Sequence, residues 1–596
     1  MDRRTLLAVV LSVVVITIGF SIQSILFPPA EAPATVSDSD GYQVTQPVEQ
    51  TTESQTDTSQ TIPTATAIPA RIGAVLPVPE DGIGNQERTY KDNLISVTFS
   101  PYGGSVVSYQ LLDHLDGDSP VDMLFRGAED QRAFTLHFGE YSAPAIDALF
   151  HFQQINGSTY EFYRDFYVVG QEGQPFRITK RFTFVPVEYL FQLDVILANS
   201  ANAQIPLNFN GAAYTVGFVP QIGPMFEKLD QRTEFRRYLT FDEGKKSTPR
   251  VGNNDVQVIE DRISWAAIAG KYFAVIALTD NRDLTTVFGQ QDREGLPVGS
   301  QLSITRPVIQ ASSVEDSYQF YVGPKASAAL NRSDDPDENA WGRQDLELRN
   351  VQETRALFGW LDNILKWMLK YIVMVVPNYG IAIIILTMIV KLALWPLTRK
   401  SYESNARMQA VQPKMQEIKE KYKDDTAKQN EAMAKLYKEE KVNPLGGCLP
   451  MLAQFPFFLA MYGLFSNHFD LRGAVFIPGW ISDLSVPDIV VAFGSFTIPL
   501  LGWTALRGLP FIFVATQLLS SKLMQTATPG QSSGQMKMMQ YGMPLMFFFI
   551  LYNVPSGLLV YWIFSNLLTS AQQYYYNKMK KKTPPPPPPT TRKKRS

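Results

Sequence analysis

Residues Gly380–Thr398, GIAIIILTMIVKLALWPLT, form an apolar run of about bilayer length, interrupted by one ammonium, Lys391, and preceded by Asn378, a helix-capping residue type. A lone lysine at mid-bilayer costs about 2.5–3.5 kcal/mol on insertion scales. Its stem either snorkels toward the headgroups, with Arg399 about two turns on, or the charge is kept wet for a purpose.

Beyond Thr398, the stretch from Tyr402 to Glu440 carries one stripe (Met408, Val411, Met415, Ile418, Tyr422) and then a second (Ala432, Leu436), with a break near Asp424 and Asp425. This spacing predicts a lysine-rich αα-hairpin, either simply solvated or a docking lever for a substrate, ribosome or targeting partner. On the other side, GWLDNILKWMLKYI from Gly359 groups Leu361, Ile364, Leu365, Met368 and Ile372. It predicts an amphipathic helix in the membrane interface, or a plain connector.

Further apolar runs are Leu449–Phe465, Ile489–Trp503, Leu509–Met524, Tyr541–Tyr552 and Leu558–Leu568. Leu6–Phe27, behind Arg3 and Arg4, reads as an uncleaved anchor, with a cleavable signal as the competing reading. The lysine-rich tail and the N-terminal arginines both read as cytoplasmic, so the number of crossings is even. Ile489–Trp503, broken by Gly494, Pro499 and Gly502, is therefore assigned to an external loop. The expected fold class is an α-helical polytopic membrane protein with six transmembrane helices.

Between the first two spans, Ala30–Glu87 is rich in Thr, Ser, Gln and Pro and reads as a disordered tether. From Arg88 to Gln344, short β-branched and aromatic segments with turn residues between them predict an all-β sandwich. In FRITKRFTF, Phe176, Ile178, Phe182 and Phe184 share a face interrupted only by Lys180. The domain reads as a scaffold or interaction domain, or as a groove for sugar or peptide.

The 596-residue chain has a formal net charge of -3, which excludes a general preference for nucleic acid. The single cysteine, Cys448, excludes an internal disulfide, and four histidines lack metal-ligand spacing. No G-x-x-x-x-G-K-S/T loop is present, so no nucleotide site is expected, and no cofactor is assigned. Thr387 shares a helix face with Lys391, and Gln454, Thr516, Gln517, Tyr561, Ser565 and Asn566 place further donors and acceptors on the other runs. With no intramembrane carboxylate to pair with it, Lys391 reads as a receiver for a transiently anionic group, which also weakens a proton-driven transporter reading.

The segments LTMIVKLALWPLT (Leu386–Thr398), QPKMQEIKEKYKDD (Gln412–Asp425), LYKEEKVNPLGGCLPMLAQFPFFLAMY (Leu436–Tyr462) and VPSGLLVYWIFSNLLTSAQQ (Val554–Gln573) together resemble the YidC family of membrane protein insertases, in the long form of bacteria with an outer membrane. The resemblance implies a five-helix insertase core plus the N-terminal anchor, a large periplasmic β-supersandwich and a cytoplasmic helical hairpin. It also implies a multi-pass protein of the bacterial inner membrane with both termini cytoplasmic. The implied boundaries are an anchor at 1–28, a linker at 29–87, a β domain at 88–345, an interfacial helix at 359–376, a core at 377–577 enclosing the hairpin at 399–443, and a basic Pro-rich tail at 578–596.

Lys391 stands where the family usually has arginine, keeping the charge and losing the bidentate fork. The implied substrate groove comprises Lys391, Thr387, Gln454, Gln517, Tyr561, Trp562, Ser565 and Asn566, and the third and fifth spans resemble a slide for the incoming helix. Implied partners are nascent membrane proteins, the translating ribosome, the general secretion channel, the signal recognition particle pathway and anionic lipid. An assembly factor that works only with a partner channel is the alternative.

Overall fold

The computed structural model describes residues 74–582 except 117, 125–131, 200–201, 206, 219–235, 253, 279–283, 294–295, 353–358, 424, 441, 443–448, 495, 499–500 and 524–540. The expected anchor, most of the linker and the end of the tail lie outside the described residues.

The β domain combines strands that alternate with strands such as Trp265–Ala269 and Phe273–Leu278 that are buried throughout. Strand Phe176–Phe184 buries Phe176, Ile178, Lys180, Phe182 and Phe184 while the residues between them face outward. It pairs antiparallel with Thr159–Val168 on one side and Leu190–Asn199 on the other. Among the described residues these belong to a ten-stranded sheet, accompanied by a five-stranded and a four-stranded sheet. The core lies between the sheets: Phe134 sits 4.7 Å from Phe218, 4.8 Å from Phe320 and 5.3 Å from Phe191.

Lys180 is fully buried in this aromatic core. Its Nζ donates to the carbonyls of Gly103 (3.0 Å), Gly104 and Phe134 (2.6 Å), which uses all three ammonium donors. These acceptor residues carry φ of 64°, 52° and 55°. The lysine thus pins two left-handed turns, and burial pushes its pKa well below the lysine range.

The helical region follows as α1 (Ser327–Ser333), α2 (Gly359–Val375), α3 (Tyr379–Ala393), α4 (Trp395–Lys421), α5 (Thr426–Glu439), α6 (Leu449–Asn467), α7 (Leu509–Leu523), α8 (Met543–Ile550) and α9 (Ser556–Lys582). The hairpin is α4 with α5. Asp425 caps α5 by accepting from the Lys428 N–H at 3.0 Å, and Met408, Val411 and Met415 pack on Met433 and Leu436. In α2, Leu361, Leu365 and Leu369 are buried, while Ile364 is exposed beside Trp360, Trp367 and Tyr371. Ile489–Trp503 holds no helix among its described residues; Val491–Ala492 pairs with Ala505–Leu506 instead.

The six-span expectation is corrected. Among the described residues no single helix is both long and apolar enough to cross a membrane. The run at Gly380–Thr398 divides at Leu394, where Trp395-Pro396 opens a second helix, and Tyr379–Ala393 passes only together with Trp395–Met408, bent by 60°. With 15 residues, α3 rises about 22 Å, short of a hydrocarbon core of about 30 Å. α8 has 8 residues, or about 12 Å. Leu558–Leu568 is the start of α9, whose later turns are polar and basic. What stands is a β-rich domain followed by a helical region, and the multi-pass inner-membrane topology read from six spans falls with them.

The two regions meet at the turn after α6. Phe469 is in edge-to-face contact with His114 (5.1 Å), Phe273 (5.8 Å) and Tyr272 (6.1 Å), and Arg472 donates to the Leu115 carbonyl at 2.6 Å. Burial, with the nearby Arg472 guanidinium, pushes His114 down to about 4 against the opposing pull of Asp113, and the Tyr189 hydroxyl lies 3.5 Å from its ring. A folded pKa below the unfolded one means protons bind the separated state better. The junction is therefore expected to be fully stable above about pH 6.5 and to weaken as pH falls toward about 4. His114→Phe should flatten that acid limb in hydrogen exchange at residues 469–472; an unchanged limb would contradict it.

Candidate functional site

Asn378 starts α3 by accepting from the Ile381 N–H at 3.0 Å, which satisfies an orphan donor of the first turn. The face α3 then buries holds Ala382, Ile383, Leu386, Thr387, Val390 and Lys391, at helical spacing, and it packs on α9 and α2. Lys391 is only 5% exposed. Its Nζ donates to Thr569 Oγ1 at 2.9 Å, and that hydroxyl donates to the Ser565 carbonyl at 2.7 Å. Tyr402 of α4 donates to the Thr569 carbonyl at 3.4 Å. Among the described residues no carboxylate pairs with Lys391, and two of its three donors are uncommitted.

The same region of α9 carries buried polar atoms without a partner among the described residues: Asn566 Nδ2, Ser570 Oγ and Gln572 Oε1. Orphaned groups of this kind cost about 1–3 kcal/mol each unless water or a ligand satisfies them. Asn566, Ser570 and Gln572 lie within three residues of Thr569, the residue that accepts from Lys391.

The other residues of the expected groove distribute unevenly. Thr387 is fully buried, but its hydroxyl donates back to the Ile383 carbonyl at 2.6 Å. Tyr561 is buried, its ring 6.0 Å from Phe465. Trp562 is stacked between Phe458 (4.9 Å) and Phe513 (5.4 Å), as part of an aromatic contact among α6, α7 and α9. Gln454 on α6 and Gln517 on α7 are half-buried, and among the described residues no hydrogen bond joins either to Lys391. Thr569, which accepts from the lysine, and Tyr402, which donates to the Thr569 carbonyl, are not among the expected groove residues. Thr569 continues the Tyr561–Ser565 spacing by one more turn, a signal the sequence does contain.

Two of the apolar helices carry strongly exposed side chains. On α8, Leu545, Met546, Phe549 and Ile550 are each about half exposed, as is Phe455 on α6. Contiguous apolar surface of this kind marks an interaction or membrane-facing site.

Two family profiles match the chain, "YidC periplasmic domain" over residues 89–371 and "60Kd inner membrane protein" over residues 371–583. A membrane protein insertase YidC of Treponema denticola is 37% identical over 95% of this chain and 98% of its own length. Its namesake in Treponema pallidum is 35% identical over 96% and 97%. The crystal structure of an active YidC insertase, 18% identical, aligns with 85% of this chain and 95% of its own at a TM-score of 0.36. On identity that runs through nearly the whole length of the two Treponema proteins, this chain belongs to the YidC family of membrane protein insertases.

Proposed function

We propose that this protein, as a long-form member of the kind carried by bacteria with an outer membrane, receives the hydrophilic end of a nascent membrane protein at Lys391 and releases the client's apolar helix along the exposed faces of α6 and α8 into lipid. The observation that carries this reading is a buried ammonium with one hydroxyl partner, Thr569, and no carboxylate among the described residues, on a stretch of α9 that also carries orphaned polar atoms. A polar client segment would satisfy those atoms in turn, and acidic segments would gain a charge-assisted hydrogen bond. Burial of the client helix in lipid then supplies roughly 0.8 kcal/mol per CH₂, so no nucleotide or covalent step is required.

The lysines of α4 and α5 favour the ribosome, the signal recognition particle pathway and anionic lipid as partners. The exposed Trp360, Trp367 and Tyr371 of α2 suit an interfacial position, and handover from a general secretion channel fits the same route. The test is site-specific photo-crosslinking of a stalled client. A crosslinker replacing Asn566 is expected to capture the client's polar end, and one replacing Phe549 its apolar helix. Capture of the apolar helix at both positions would overturn the polar-site reading.

A further inference from the structure

Four side chains of the turn His468–Arg472 divide between the two regions. His468 is half-buried just after α6, beside the Asp362–Lys366 ion pair of α2. Leu471 is fully buried in the core of the helical region. Phe469 instead projects into the β domain, where His114, Tyr272 and Phe273 are all in edge-to-face contact with it, and Arg472 follows by donating to the Leu115 carbonyl while its guanidinium lies 5.1 Å over the Phe273 ring. Within five residues the chain is fastened twice to each region, by edge-to-face aromatic pairs and a charged donor to a carbonyl on one side and by packing on the other. α6 ends in this turn and contacts α9, the helix that holds Lys391 through Thr569.

We propose that His468–Arg472 is a rivet between the β domain and the insertion helices, and that Phe469 and Arg472 are positioning residues which hold α6 in register with the Lys391 site. The β domain is then a brace for the helices: it need not touch a client to affect insertion. The inference rests on the insertase reading given above, since only that reading makes the register of α6 consequential.

The experiment uses the full chain in lipid, with Cys448 replaced by serine and spin labels at Ile155 in the β domain and Leu545 on α8. Phe469→Ala and Arg472→Ala are expected to broaden the interlabel distance distribution and to lower insertion about fivefold. Arg472→Lys, which keeps a donor for the Leu115 carbonyl, is expected to restore both. An unchanged distance distribution in both alanine variants would overturn the rivet. A broadened distribution with native insertion would overturn the positioning role. Loss of insertion on cutting the rivet, alongside full insertion in Lys391→Ala, would remove the lysine from the mechanism and leave the rivet standing.

Discussion

Lys180→Met is expected to lower the thermal unfolding midpoint of the β domain by about 10 °C, the consequence of leaving three buried carbonyls without a donor at roughly 1–3 kcal/mol each. Methionine fills much of the same volume, so the loss falls on the carbonyls of Gly103, Gly104 and Phe134, which would remain buried without a donor. Two of them sit on consecutive left-handed glycines, and the third belongs to a phenylalanine at φ 55°, a conformation a bulky residue adopts only under constraint. Gly104→Ala attacks the same turn from the other side, because its Cβ would lie 2.5 Å from Phe162 Cβ at a φ of 52°. Near-UV circular dichroism of the full chain reads both variants. A midpoint within 2 °C of native for Lys180→Met, by the scaling of roughly 2–4 °C per kcal/mol, would show that the ammonium contributes little net stability.

The second large effect belongs to Lys391. Lys391→Ala is expected to reduce insertion of a client with an acidic leading end about tenfold or more, in line with the roughly 1.5–3 kcal/mol of a hydrogen bond to a charged group. A client with a neutral leading end should lose about twofold or less. Lys391→Arg should keep insertion of both, because the charge is what an acidic end meets and Thr569 Oγ1 still accepts from a guanidinium. Equal losses for acidic and neutral clients would assign Lys391 to helix packing through Thr569.

What could be read from the residues alone depended on the range of the interaction. The period-2 face of FRITKRFTF marks its strand because alternation is local, yet the reason for Lys180 lies 46 to 77 residues away, in carbonyls no pattern announces. The hairpin is legible for the same local reason: the stripe of α4 stops before Asp425, which caps α5. Lys391 stands out as a lone charge in an apolar run, while its partner Thr569 is 178 residues on and is found only when α3 and α9 pack. Helix length was where hydropathy misled. A sum over Gly380–Thr398 does not register that Trp395-Pro396 starts a new helix at 60° to the first, nor that Tyr541–Tyr552 contributes a helix of only 8 residues. Amphipathic reading of α2 likewise placed Ile364 with the buried leucines, although it falls on the same exposed face as Trp360, Trp367 and Tyr371. The turn at Phe469 carries no motif; it is defined entirely by what it fits into.

The most direct test reconstitutes the purified protein alone into liposomes and follows protease protection of a short client with one apolar helix and an acidic leading end, for the native chain and for Lys391→Ala. Protection by the native chain that is lost with alanine is the predicted result, since it requires both insertion without a partner channel and a charge at position 391. Protection equal in the two proteins, or absent from both, would contradict the account.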